Sequence, residues 1–143
     1  MKSTSMTTSE RQVMRVIWAY PHSRSQEIIK LLENDFDWQP ATIKSLLNRL
    51  KQKGLIYMEK INGKFYYNSL ISEEEQVKLE CRQLFSGVCN TKQGQLLGHL
   101  VRESQLSQTD IDQLIEILKE RRVTAPRKIS CSCVKGQCSC GHK

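Results

Sequence analysis

Asn62-Gly63, set between the β-rich runs 55–61 and 64–70, is the strongest short-range signal for a tight hairpin. It closes a stretch that otherwise reads as helix. Residues 10–20 place Val13, Met14, Ile17 and Trp18 at helical spacing, with N-cap choices in Thr7-Thr8-Ser9 and a stop at Pro21. Ser23 or Ser25 can cap a second, short helix to about Glu33, with Ile28, Ile29 and Leu32 on one side, and 34–38 reads as a connection. Pro40 suits the first position of a third helix, where no amide hydrogen is lost. Ile43, Leu46, Leu47 and Leu50 mark its buried stripe, and Gly54 reads as its C-terminal stop. Trp18 and Trp38 read as core or hinge packing. Three short helices followed by a hairpin is the order of a winged helix-turn-helix, a mainly α fold with a small β wing.

In that arrangement the third helix enters the major groove and the wing reaches the adjoining backbone. The face opposite the apolar stripe carries Ala41, Thr42, Lys44, Ser45, Asn48, Arg49 and Gln52, and the wing offers Asn62 and Lys64. These side chains hydrogen-bond well to base edges and phosphates. Alone, such a face is an ordinary solvated surface. Charge separates the two readings: residues 1–71 hold eleven basic and six acidic groups, whereas 72–123 hold seven and nine. A basic front argues for a polyanion, here a double-stranded DNA operator, over a protein-interaction module.

Residues 72–123 read as a helical dimerisation domain. Ser72-Glu-Glu-Glu75 is a capping box for a helix reaching about Phe85, with Val77, Cys81, Leu84 and Phe85 on one face. Gly87 and Asn90 break it. A short helix over 95–103 carries Leu96, Leu97, Leu100 and Val101. Ser107-Gln-Thr-Asp110 opens the last, 110–122, with Ile111, Leu114, Ile115 and Leu118 in one stripe and Lys119, Arg121 and Arg122 at its negative end. Three short amphipathic helices cannot bury these faces alone. A two-fold homodimer built on Leu84, Leu97, Leu100, Ile111, Leu114, Ile115 and Leu118 completes the core. Cys81 and Cys89 read as small buried hydrophobes, and His22 and His99 receive no role.

The last segment, 124–143, has four basic and no acidic residues and carries Cys131-Ser-Cys133-Val-Lys-Gly-Gln-Cys138-Ser-Cys140. In an extended chain, residues two apart point to one side, so each pair offers two sulfurs to one ion. Gly136 lies where a turn folds one pair onto the other. Four thiolates suit tetrahedral Zn(II), with bonds of roughly 2.3 Å, or Cu(I), which is soft. Arg127, Lys128, Lys135 and Lys143 offset their negative charge. A redox switch, disulfides, a structural zinc site and an incidental cluster are the alternatives. His142 is a further candidate ligand. No apolar run approaches the roughly 20 residues of a membrane span, and the first nine residues lack a signal core, so the expected location is the cytoplasm. No nucleophile–base pair or catalytic carboxylate pair emerges, which argues against an enzyme.

The run Glu10-Arg-Gln-Val13-Met14-Arg-Val-Ile17-Trp18, the helix from Trp38 to Gly54 and the wing resemble the penicillinase-repressor family of BlaI and MecI, and the match extends through Arg122. The Cys-x-Cys-x4-Cys-x-Cys tail resembles its copper-responsive, CopY-type branch. The resemblance implies a dimeric repressor on an inverted-repeat operator ahead of copper-export genes. It implies that Zn(II) in the tail favours DNA binding, and that Cu(I), brought by a small copper chaperone, replaces it and releases the repressor. The β-lactam-responsive relatives are instead inactivated by cleavage within the dimer region.

Overall fold

In the computed structural model, which describes residues 5–140, helix α1 (Thr8–Ala19) begins at a reciprocal cap. Thr7 Oγ1 accepts from the Glu10 N–H at 3.1 Å, and Glu10 Oε1 accepts from the Thr7 N–H at 2.9 Å. Two otherwise orphaned donors are thereby satisfied. Strand β1 (Ser23–Arg24) follows, then α2 (Ser25–Phe36). The sequence pattern does not foresee β1, because two residues are too few to show a period. Helix α2 also outruns its expected end near residue 33: Phe36 stacks on Trp38 at 4.9 Å, giving the last turn an apolar partner. Asp37, with φ 53, then stops the helix in the left-handed region, so the expected 34–38 connection shrinks to 37–39.

Helix α3 (Pro40–Gln52) ends in a Schellman motif. Gly54, at φ 77, donates its N–H to the Lys51 carbonyl, and Leu55 donates to the Leu50 carbonyl, both at 3.0 Å. Leu50 and Leu55 are themselves buried, which adds the apolar contact that usually accompanies this end. Strands β2 (Ile56–Ile61) and β3 (Lys64–Ser69) are joined by Asn62 and Gly63 at φ 53 and 79. Both turn residues have the positive φ of a type I′ hairpin. The sheet runs β1-β3-β2, all antiparallel, with Ser23 opposite Tyr67 and Ile61 opposite Lys64.

The core gathers Val13, Met14 and Ile17 from α1, Ile28 and Leu32 from α2, the α3 stripe, and Leu55 and Ile56. Trp18 and Trp38 lie half-buried against it, and Trp18 Nε1 donates to the Ile71 carbonyl at 2.9 Å. Helix α4 (Glu73–Ser86) is capped by Ser72, whose Oγ accepts from the Glu75 N–H at 3.1 Å. The chain divides into two compact units after Glu80. In the first, Gln76 is buried and donates to Glu80, which pairs with both oxygens on Arg11.

The second unit holds the rest of α4, a 3-10 turn (Asn90–Lys92), α5 (Gln93–Glu103) and α6 (Gln108–Thr124). Ser107 and Asp110 cap α6 reciprocally at 3.0 Å. Among its described residues no apolar side chain is fully buried. Leu84, Leu97, Leu100, Ile111, Ile115 and Leu118 are exposed in the single chain, and Leu114 is half-buried. Cys81, read from sequence as a buried hydrophobe, is exposed as well, because this part of α4 has no apolar layer to sink into. No helix of the described residues is long and apolar enough to cross a membrane.

One ion pair fixes the start of the first unit. Lys53 Nζ lies 2.7 Å from Glu10 Oε1 and 3.0 Å from the Ser5 carbonyl. Burial pushes the Glu10 carboxyl up, but the hydrogen bonds from Lys53 and Thr7 outweigh it and hold the group below its usual range. A carboxylate depressed in this way stabilises the fold above its unfolded pKa, and the contribution fades as pH falls through the lower folded value. Lys53→Ala strands a buried charge and is expected to cost about 3 kcal/mol at neutral pH. Urea unfolding at pH 7 and again below pH ~4 checks this, the difference from the parent shrinking once Glu10 is protonated in both.

Candidate DNA interface and thiol centre

The apolar stripe of α3 is turned into the core, so its other residues have no choice but to face outward. Ala41, Thr42, Lys44, Ser45, Asn48, Arg49 and Gln52 are all exposed. On the hairpin, Asn62, Lys64 and Phe65 are exposed too, with Lys60 Nζ 5.5 Å above the Phe65 ring. Lys53 sits on the same basic stretch of sequence, yet its ammonium is spent on Glu10. At the base of the hairpin His22, given no role from sequence, stacks on Tyr66 at 4.5 Å.

The thiols are assembled by two devices. Gln137 donates its N–H to the Val134 carbonyl at 3.0 Å, with Gly136 at φ 92. That is a turn whose third residue needs positive φ, which suits glycine. It folds the tail so that Cys138 Sγ comes within 3.4 Å of Cys131 Sγ. Asn90 supplies the second device. Its Nδ2 donates to the Ser130 carbonyl at 2.7 Å, and its Oδ1 accepts from the Ser132 N–H at 3.0 Å. This side chain clamps the tail backbone on both sides of Cys131, beside the connection between α4 and α5.

The clamp brings in a fifth cysteine. Cys89 Sγ lies 3.5 Å from Cys131 Sγ, 3.2 Å from Cys140 Sγ and 3.0 Å from Thr91 Oγ1. The reading of Cys89 as a buried hydrophobe is therefore corrected: it is half-buried in a loop, beside other sulfurs. Its position in the Gly87–Asn90 break, off any apolar helix face, was the available signal, since a loop cysteine has no core to fill. The Sγ atoms of Cys89, Cys131, Cys133 and Cys138 all lie within 4.8 Å of one another. Cys140, of the expected tail quartet, adjoins Cys89 and Thr91 and is the exposed one. His142 lies outside the described residues.

Their electrostatics are those of a shared charge. The Thr91 hydroxyl, and then Cys140, lower the Cys89 thiol to about 5. Hydrogen bonding with Cys89 pushes Cys133 up to about 11, and burial pushes Cys131 up. One thiolate is thus favoured at the expense of its neighbours, because several negative sulfurs so close together repel. A soft cation removes that penalty. A tetrahedral thiolate centre with bonds near 2.3 Å has sulfur–sulfur edges of roughly 3.8 Å. Cys131 Sγ lies 3.5 Å from Cys89 Sγ and 3.4 Å from Cys138 Sγ, a little inside that figure, and the donor set is all sulfur, so these residues fit Zn(II) or Cu(I).

The chain matches the penicillinase repressor family model over residues 6–120. It belongs to that family. It is 39% identical over 138 residues to an uncharacterized 16.5 kDa protein of Latilactobacillus sakei, covering 96% of this chain and 94% of the other. It is 30% identical over 120 residues to the methicillin resistance regulatory protein MecI of Staphylococcus aureus, covering 84% and 98%. Among solved structures, the Bacillus licheniformis BlaI monomer in complex with the blaP half-operator shares 34% identity over 52% of this chain and 93% of that one, with a TM-score of 0.47. As a member of the family the protein is a DNA-binding transcriptional repressor and not an enzyme.

For the repressor, Lys44→Ala and Arg49→Ala are each expected to weaken binding to an operator duplex while leaving the fold intact, since both side chains are exposed. A residue that contacts phosphate also lowers the slope of log affinity against log salt by about one unit. Anisotropy titrations at several salt concentrations measure both, and unchanged binding in both variants would mean that another face meets the DNA.

Proposed function

We propose that this repressor is copper-responsive, holding an inverted-repeat operator of copper-export genes as a homodimer and releasing it when Cu(I) replaces Zn(II) among the tail thiols. The carrying observation is the cluster of soft sulfur donors gathered by the Gly136 turn and the Asn90 clamp. Cys131, Cys133, Cys138 and Cys140 supply the tail's share of those sulfurs, and a small copper chaperone is the expected donor of Cu(I). Thr42, Lys44, Ser45, Asn48 and Arg49, with Ala41 packed close, meet the major groove, and Asn62 and Lys64 meet the backbone beside it. The exposed apolar faces of α4, α5 and α6 support the dimer: Leu97 is 51% and Leu118 65% accessible in the single chain, and such faces are costly to leave in water. On this reading residues 1–71 bind DNA, 72–123 dimerise and 124–143 sense metal, in the cytoplasm.

One Zn(II) or two Cu(I) among four thiolates leave the same net charge, so release works through shape. Tetrahedral zinc gathers four sulfurs around one point, whereas Cu(I) accepts fewer ligands and shares bridging sulfurs. The turn at Lys135-Gly136 is the part of the tail that must adapt. A coupling of about 1–3 kcal/mol alters affinity roughly 5–150-fold.

Anisotropy on an inverted-repeat duplex, with Zn(II), Cu(I) or chelator, tests the reading. The Zn(II) form is expected to bind tightly and the Cu(I) form to dissociate. Gly136→Val, which forces a branched side chain onto a φ of 92, is expected to blunt the response more than Lys135→Ala. DNA affinity indifferent to metal would make the protein a metal store, and release by oxidant without metal would make it a thiol redox sensor.

A further inference from the structure

We infer that Cys89 is a metal ligand and that, in the divalent-ion form, the tetrahedron is Cys89, Cys131, Cys133 and Cys138, with Cys140 left outside it. The inference rests on the metal reading above and deepens it by naming the ligand set. Five sulfurs converge, and a tetrahedral ion takes four. The four with every pair within 4.8 Å include Cys89. Cys140 is the exposed thiol of the group.

The placement of Cys89 does not depend on the sulfurs alone. Asn90, its neighbour, holds the tail backbone at Ser130 and Ser132 through two hydrogen bonds, so Cys131 is placed beside Cys89 by amide hydrogen bonds as well as by sulfur contacts. Thr91 places its hydroxyl 3.0 Å from Cys89 Sγ, the kind of outer contact that orients a metal-binding sulfur. The run Cys89-Asn90-Thr91 thus supplies a ligand, a clamp and an orienting group.

The consequence is regulatory. A site made only of tail residues would leave the Asn90 hydrogen bonds as the tail's hold on the α4–α5 connection. A site that includes Cys89 ties the tail to the connection between α4 and α5, helices whose exposed apolar faces are assigned to the dimer. Occupancy of the site then reinforces the Asn90 clamp, and an ion content with the four tail thiols adds nothing to it.

The full-length protein loaded with Zn(II) is treated with an alkylating agent, and each cysteine's labelling is followed by peptide mass mapping. Cys89, Cys131, Cys133 and Cys138 are expected to be protected together, with Cys140 labelled at the rate of exposed Cys81. Cys89→Ser is expected to weaken Zn(II), measured by competition with a chromophoric chelator, by more than the roughly 100-fold typical of losing an outer-shell contact, and Cys140→Ser to change it little. Labelled Cys89 beside protected Cys140 overturns the inference while leaving a tail-only metal site standing. A parent protein that takes up no Zn(II) overturns the metal reading and this inference with it.

Discussion

Among the described residues, every fully buried apolar side chain lies between Val13 and Ile56. The chain concentrates its hydrophobic stabilisation in the first unit, where three helices and the base of a hairpin close over one another. The unit is thus a rigid mount for α3. Its buried stripe leaves the polar face no freedom to turn inward, and the Schellman end at Gly54 sets where the hairpin departs.

The second unit inverts that economy. Helix α6 is reciprocally capped, yet the apolar residues of α5 and α6 stay largely exposed in the single chain. Capping fixes where a helix starts, but only burial makes it persist. On the proposed reading two outside agents supply what is lacking. A second copy covers the apolar faces, and an ion adds to the hold that Asn90 has on the tail. Such dependence suits a sensor, because a part that completes its own core has little to gain from a ligand.

Local chemistry was legible in the sequence and long-range chemistry was not. The Asn62-Gly63 turn, the stop at Gly54, the caps at Thr7, Ser72 and Ser107 and the α3 stripe all follow from residues within a few positions of one another, and each stands where it was expected. Strand β1 needed a partner more than forty residues away, and so left no mark in the pattern. Nothing local marks Lys53 as the partner of a buried carboxylate, because Glu10 lies on α1, 43 residues away. The thiol motif was plain, and the glycine in its spacer takes the positive φ the turn needed. What the motif could not disclose was its fifth sulfur: Cys89 meets Cys131 across 42 residues, through a clamp at Asn90 that has no signature of its own.

On the proposed reading, one unit grips DNA and a thiol-rich tail in the other reads ions. The most direct measurement is operator affinity, with and without Cu(I), for a protein with Cys131, Cys133, Cys138 and Cys140 all replaced by Ser. The account predicts that this protein still folds and that Cu(I) leaves its affinity unchanged. Release by Cu(I) at the parent's concentration would contradict it.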